Sequence, residues 1–166
     1  WGIGYDGTIR SCYEAGAVSG TSGVGGLCGE NSYNGTITSC YATGAVSGTD
    51  FVGGLCGYND DTITSCYATG AVSGTDFVGG LCGWNEDGMI TFCYATGAVS
   101  GTDFVGGLCG YNRRTITSCY ATGAVSGTSS SVGGLCGENY YYSTISRSFW
   151  DIQTSGMTTS AGGTGK

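Results

Sequence analysis

The chain has 166 residues, of which 35 are glycine and none is proline or histidine; only 10% are charged, and the formal net charge is −7. Without histidine there is no Ser-His-Asp triad, no Cys-His pair and no histidine metal ligand. The five cations (Arg10, Arg113, Arg114, Arg147, Lys166) are too few and too scattered to follow a phosphate backbone, so nucleic acid is not an expected partner. No apolar run approaches the roughly 20 residues of a spanning helix, so membrane insertion is not expected either. A 40% hydrophobic content with 12 tyrosines argues against disorder. The chain starts at Trp1 without an initiator Met, signal peptide or lipid motif, and reads as a piece of a longer mature protein.

In chain order, a unit opens at Thr8-Ile9-Arg10 and recurs. Thr36 to Gly48, Thr62 to Gly74 and Thr115 to Gly127 are identical, and Met89 to Gly101 differs from them only at Met89 and Phe92. Each unit continues into Val-Gly-Gly-Leu-Cys-Gly, at Val24, Val52, Val78, Val105 and Val132. From Cys12 to Cys40, Cys66, Cys93 and Cys119 the steps are 28, 26, 27 and 26 residues. The units lie near 8–35, 36–61, 62–88, 89–114 and 115–143, with a partial one at 144–151. The repeats thus span 1–148, and 152–166 is a Gly/Ser/Thr-rich tail or the start of another segment. Neither that tail nor Trp1 to Gly4 reads as an obvious end cap.

Within a unit, Thr-Ile-Thr alternates with the period of a strand. Ala-Val-Ser-Gly is a second short strand and Val-Gly-Gly-Leu-Cys a third, with glycine at the bends. Helix formers are scarce. The variation in length falls in one loop: Glu30 to Gly35, Tyr58 to Asp61, Trp84 to Gly88, Tyr111 to Arg114 and Glu138 to Ser143. Short strands joined by glycine corners describe the coils of an all-β fold, a β-solenoid (β-helix) of five to six coils of 26–28 residues, stacking about 4.8 Å apart. A right-handed winding is expected from the usual chirality of parallel crossovers.

The units resemble the GLUG-motif repeats of bacterial surface proteins. The signature stands at Gly26-Leu27-Cys28-Gly29, Gly54-Leu55-Cys56-Gly57, Gly80-Leu81-Cys82-Gly83, Gly107-Leu108-Cys109-Gly110 and Gly134-Leu135-Cys136-Gly137. Tyr-Ala-Thr-Gly, the closing Phe149-Trp150-Asp151 and Thr154-Ser155-Gly156 are also similar to the family. The resemblance implies a large secreted or wall-attached, often adhesin-like protein, and no catalytic residues. The departure is cysteine within the motif, where an aliphatic residue is common.

The ten cysteines form two columns of five. Pairing along either column leaves one over, whereas pairing each Ser-Cys (or Phe-Cys) cysteine with the following Leu-Cys cysteine uses all ten. The expected bridges are therefore Cys12–Cys28, Cys40–Cys56, Cys66–Cys82, Cys93–Cys109 and Cys119–Cys136. Where a sixth Ser-Cys is due the residue is Ser148, and no further Gly-Leu-Cys-Gly follows it. Each bridge would close a loop of 16 or 17 residues and contribute about 3 kcal/mol in the entropy model. Such cysteine usage points to an oxidising compartment. No C-x-x-C occurs, so thiolate metal sites are not expected.

Other columns divide between structure and ligand. Ile9, Ile37, Ile63, Ile90, Ile116 and Ile145, with the matching Val and Leu columns, should be core; which of Val52, Leu55 and Cys56 points inward stays open. Asn31, Asn59, Asn85, Asn112 and Asn139 should form an amide ladder. Tyr13, Tyr41, Tyr67, Tyr94 and Tyr120 should stack, ending at Phe149. The loop rings Tyr58, Trp84 and Tyr111 could contact sugar faces or could cover the edge ring on ring. Thr36/Thr38, Thr62/Thr64 and Thr115/Thr117 resemble the arrays of ice-binding solenoids, broken by Arg10 and Met89. Asp50, Asp76 and Asp103 are a weak calcium candidate, and no other cofactor is expected. One glycosylation sequon exists, Asn34-Gly35-Thr36.

The expected function is that of an extracellular structural protein, a stalk or fibre segment that self-associates end to end or packs against neighbouring repeats. The alternatives are an adhesin module that binds glycan or a cell surface through the loop aromatics, and an ice-binding solenoid. The acidic residues follow the repeat rather than converging, so an enzyme is not expected.

Overall fold

The computed structural model describes residues 2–3 and 5–166. It is a β-solenoid of about five turns, built from parallel sheets. Every coil contributes one strand to each of five sheets. In the second coil these strands are Thr36–Thr38, Tyr41–Ala42, Val46–Ser47, Asp50–Gly53 and Cys56–Asn59. Register is like over like: Ile37 pairs with Ile63 and Ile9, Tyr67 with Tyr41 and Tyr94, Val72 with Val46 and Val99, and Asn59 with Asn31 and Asn85. Identical sequence explains this register. A one-residue slip would turn every core side chain outward in a chain whose strands are two to four residues long.

The strand count per coil differs from the expectation. Val-Gly-Gly-Leu-Cys is not one strand but a corner. The chain leaves the Asp-Phe-Val-Gly strand, turns at Gly-Leu and enters Cys-Gly-x-Asn as a separate strand. The glycines make the corner possible because backbones touch there. A Cβ on Gly53 would lie 1.9 Å from the Cys56 carbonyl oxygen, and one on Gly54 would lie 2.2 Å from that of Gly80. A second corner follows each Thr-Ile-Thr strand, with Ser39, Ser65 and Ser118 in the left-handed region (φ 54°, 55° and 55°). The loop of variable length lies after the Asn of each Cys-Gly-x-Asn strand, so the first residues of the expected loops, such as Tyr58-Asn59, are strand.

The question of which residue faces inward resolves into two cores. One runs along the axis as Ile37, Ile63, Ile90 and Ile116 with Leu55, Leu81, Leu108 and Leu135, the alanines of the Tyr-Ala strands, and both cysteine columns. The second is made of valines alone, Val24, Val46, Val52, Val72, Val78, Val99, Val105 and Val125. Val52, Leu55 and Cys56 are therefore all buried, on opposite sides of the Gly-Leu corner.

The two ends differ. At the C-terminal end, residues 151–166 fold over the last coil. Trp150 takes the register position of Ala121 and is buried, packed against Gly134. Its Nε1–H donates to the Met157 carbonyl (2.9 Å). Asp151 caps a single helical turn, Ile152–Ser155, accepting from the N–H groups of Gln153 and Thr154, and Gly156 closes it at φ 71°. The Ser160 hydroxyl then accepts from the N–H groups of Leu135 and Cys136, and Thr164–Gly165 pairs with Phe149–Trp150. This segment supplies hydrogen-bond partners that further coils would have supplied. At the N-terminal end, Gly2–Ile3 pairs with Glu30 and Asn31, while the strands Tyr13–Glu14, Val18–Ser19 and Ser22–Gly25 each lie at the edge of their sheet. The segment Trp1 to Gly4 includes two positions outside the described residues.

Candidate functional site

The two cysteine columns run side by side with the other ladders, and none of the five expected bridges is formed. The thiols instead bond to the backbone of their own and neighbouring coils. The N–H of Cys12 donates to Sγ of Cys40, that of Cys40 to Cys66, that of Cys66 to Cys93 and that of Cys93 to Cys119, each at 3.4 Å. Each thiol in turn donates to a carbonyl two residues back, as Cys40 does to Thr38 (3.1 Å). Ser148 completes the column with the same pair of bonds, from Cys119 N–H (3.1 Å) and to Ser146 O (2.9 Å). The loss of cysteine at that position is thus a hydroxyl doing the work of a thiol, not the loss of a disulfide partner. In the other column Cys56, Cys82 and Cys109 donate to the carbonyls of Tyr58, Trp84 and Tyr111. Burial pushes the thiols of Cys40, Cys82 and Cys93 above their ordinary range. Cys12, at the open end, is exposed.

The amide ladder is present. Asn31, Asn59, Asn85 and Asn112 are fully buried, and each Nδ2 donates to Oδ1 of the next coil's asparagine at 2.7–2.8 Å. Oδ1 of Asn31, at the start of the run, is buried without a donor among the described residues, and Ile3 holds the register position beside it. The Tyr column stacks from Tyr13 to Phe149, with neighbouring centroids 4.8–5.7 Å apart and ring planes within 11°. Asp50, Asp76 and Asp103 stack one per coil, and no group of three or more acidic or cysteine side chains among the described residues is placed to hold a metal ion. The Thr-x-Thr strands lie in one sheet with Arg10 and Met89 in the same array.

Tyr58, Trp84 and Tyr111 do not present their faces to solvent as a row. They stack on each other, at 6.5 Å and 4.5 Å, and so cover one another. A second ladder stands perpendicular to them, Phe51, Phe77 and Phe104, stacked at 5.2 and 4.7 Å. Trp84 meets Phe77 edge to face at 4.6 Å, and Tyr111 meets Phe104 at 5.6 Å. All three phenylalanines sit in the left-handed region, at φ 53°, 55° and 50°. That conformation is rare for a bulky residue and costs about 1–2 kcal/mol each, which the ring contacts must offset. This ladder is not among the columns expected from the sequence. Its signal was co-occurrence: Asp-Phe-Val appears only in the units that also carry Tyr58, Trp84 or Tyr111.

Both ladders stop together. In the first coil Gly23 occupies the phenylalanine position, already at φ 62°, and Glu30 pairs in register with Tyr58. Two rings are missing, and a cavity of about 420 Å³ takes their place, lined by Ser22, Gly23, Glu30, Phe51, Tyr58 and Asp60. The outer faces of the Phe51 and Tyr58 rings, 86° apart, bound it. Burial, with the negative field of Asp60 and Glu86, pushes the Tyr58 phenol up to about 12. Burial, with Glu86 and Asp87 adding to it, also raises Asp60. At the other end of the ladder Glu138 replaces the ring, and there Ser131 donates to it (3.3 Å).

Comparison with known proteins agrees with this architecture. The GLUG motif family matches residues 20–47, 52–73, 78–100 and 105–126. No curated protein matches the chain. Among solved structures, a crystal structure of a "putative immunoglobulin A1 protease" from Bacteroides ovatus superposes with a TM-score of 0.77 at 24% identity. The alignment covers all of this chain and 62% of that one, and it shows a shared fold. With its motif repeated in coil after coil and matched over most of its length, the chain belongs to the GLUG motif family.

Proposed function

We propose that the chain is an extracellular structural segment, a stalk or spacer in a larger surface or secreted protein. The observation that carries this reading is the use of the polar groups that recur from coil to coil. Asparagine amides, cysteine thiols and tyrosine rings are spent on holding each coil to the next. Near-identical coils add length without adding chemistry. The extracellular placement draws on the family resemblance. Buried thiols hydrogen-bonded to carbonyls behave as small core residues and do not call for an oxidising compartment.

End-to-end filament growth is one-sided in this reading. The N-terminal edge strands remain able to pair with another coil, whereas residues 151–166 cover the opposite end. The stacking of Tyr58, Trp84 and Tyr111 on one another favours the structural reading over a glycan-binding row. The structural neighbour is named for a protease, and this reading assigns no proteolysis to the segment. Two measurements test the proposal together. Antibody against the purified chain should label intact, unpermeabilised cells, and the chain should leave immunoglobulin A1 uncleaved. Labelling only after permeabilisation, or cleavage by the purified chain, would overturn it.

A further inference from the structure

The cavity in the first coil has the form of a vacant seat in two aromatic ladders, and its walls are charged. Two perpendicular ring faces, Phe51 and Tyr58, meet two carboxylates, Glu30 and Asp60, around about 420 Å³. A flat ligand stacking on either ring would continue the ladder. A neutral sugar or ring would leave both carboxylates without a partner of opposite charge, and a cation would supply one. Glu30 binds the Ser32 hydroxyl through Oε1 (2.9 Å), and among the described residues no cationic side chain lines the cavity. Beyond it lie Asp61, which accepts from the Gly35 N–H (3.2 Å), and Asp87 and Glu86, of which Glu86 is ion-paired with Arg113.

The molecule already contains the chemistry such a ligand would use. Arg113 pairs with Glu86 and lies over the ring of Tyr140, 4.9 Å from its centroid. A planar guanidinium set between a carboxylate and an aromatic face therefore occurs three coils away, on the same edge of the solenoid. We propose that the first-coil cavity binds a guanidinium group, the arginine side chain of a partner protein, stacked on Phe51 or Tyr58 and paired with Glu30 and Asp60. A guanidinium suits the seat better than a lysine ammonium, being planar like the missing rung and weakly hydrated. The cavity is open enough for a side chain to enter, and Gly23 leaves its mouth clear: a Cβ there would meet nothing closer than 3.8 Å. This site goes beyond the structural role proposed above, and either can fail without the other.

The test is a titration followed by NMR, with N-acetyl-arginine N-methylamide as the probe and its neutral isostere, the citrulline analogue, beside it. Saturable shifts at Gly23, Phe51, Tyr58 and Asp60 are expected with the arginine probe, and at least tenfold weaker binding with citrulline. Glu30→Gln should weaken the arginine probe about fivefold or more, and Glu138→Gln, at the far end of the ladder, should leave it unchanged. The double variant Gly23→Phe/Glu30→Tyr builds into the first coil the rings that the second coil carries. It should fold with an unchanged circular dichroism spectrum and lose the shifts. Methylguanidinium binding as tightly as the arginine probe would still uphold the site, with free guanidinium compounds as its ligand. Equal binding of the citrulline probe, stronger shifts with methyl glucoside, or shifts that survive in the ladder-filling variant would each overturn it.

Discussion

At the scale of single residues, the stability of the molecule is concentrated in buried groups with one partner above and one below. Asn85 receives a bond from Asn59 and gives one to Asn112. Asn85→Ala should take one of two acceptors from the buried Asn59 amide and the shorter of two donors from the Asn112 oxygen and cost about 2–5 kcal/mol, where Asn139→Ala, at the half-buried end of the ladder, should cost about 1. Urea unfolding of the two variants checks the difference. The asparagine column was legible in the sequence because polar identity at a fixed period has few other uses. The role of the cysteines was not. Counting pairs along the chain treats a thiol as half of a disulfide, and the sequence does not show that its sulfur can accept an N–H from the neighbouring coil. Purified without reductant and then unfolded, the chain should titrate ten thiols, with Cys12 the fastest to react before unfolding. Five bridges would give none.

A pH effect belongs at the same scale. The folded chain holds the Tyr58 phenol at about 12 against an ordinary value of 10.0, so the folded state keeps its proton longer than the unfolded chain does. Stability from this group is complete below pH 10 and is lost as pH rises from about 10 towards 12. Tyr58→Phe should flatten that part of the stability–pH curve, followed by fluorescence-detected unfolding, and should leave stability at pH 7 to 9 with the same slope as the parent.

At the scale of strands and corners, the sequence reading found the period, the strand chemistry and the site of length variation. It placed the corner wrongly. Val-Gly-Gly-Leu-Cys alternates well enough to pass for one strand. What breaks it is the close approach of backbones at the two glycines, a property of coil packing rather than of local pattern. The phenylalanine ladder escaped notice for a related reason: nothing local to Asp-Phe-Val predicts φ near 55°. The left-handed backbone makes a sharp prediction. In an ordinary strand alanine is preferred to glycine, but at this position glycine relieves the backbone and alanine does not. Phe77→Gly should therefore be more stable than Phe77→Ala by about 1 kcal/mol, both lying below the parent because the stack with Phe51 and Phe104 is lost. Thermal unfolding of the pair decides it. The candidate cavity was only half legible. Tyr58 was singled out as one of a row of rings, but the vacant position beside it is defined by what Gly23 and Glu30 lack.

At the scale of the whole molecule, the two ends differ among the described residues: strands of the first coil lie at sheet edges, and residues 151–166 cover the last coil. Residues 152–166 read as a loose tail from composition, because glycine, serine and threonine carry no hydrophobic pattern. Their contribution is a set of hydrogen bonds and the seating of Trp150 over the last coil. Removing 152–166 should expose Leu135, Trp150 and the edges of the last strands. The shortened chain should self-associate in light scattering, whereas the parent should not associate through that end. A shortened chain that stays monomeric with an unchanged melting temperature would show that the segment is no cap. The account as a whole rests on like side chains lying over like along a common axis. A diffraction map of the chain crystallised without reductant tests this most directly. The predicted result is five parallel sheets, a continuous amide run from Asn31 to Asn139, and cysteines stacked by column as thiols. Units folded as separate beads, or sulfur bridges joining the two columns within each coil, would contradict it.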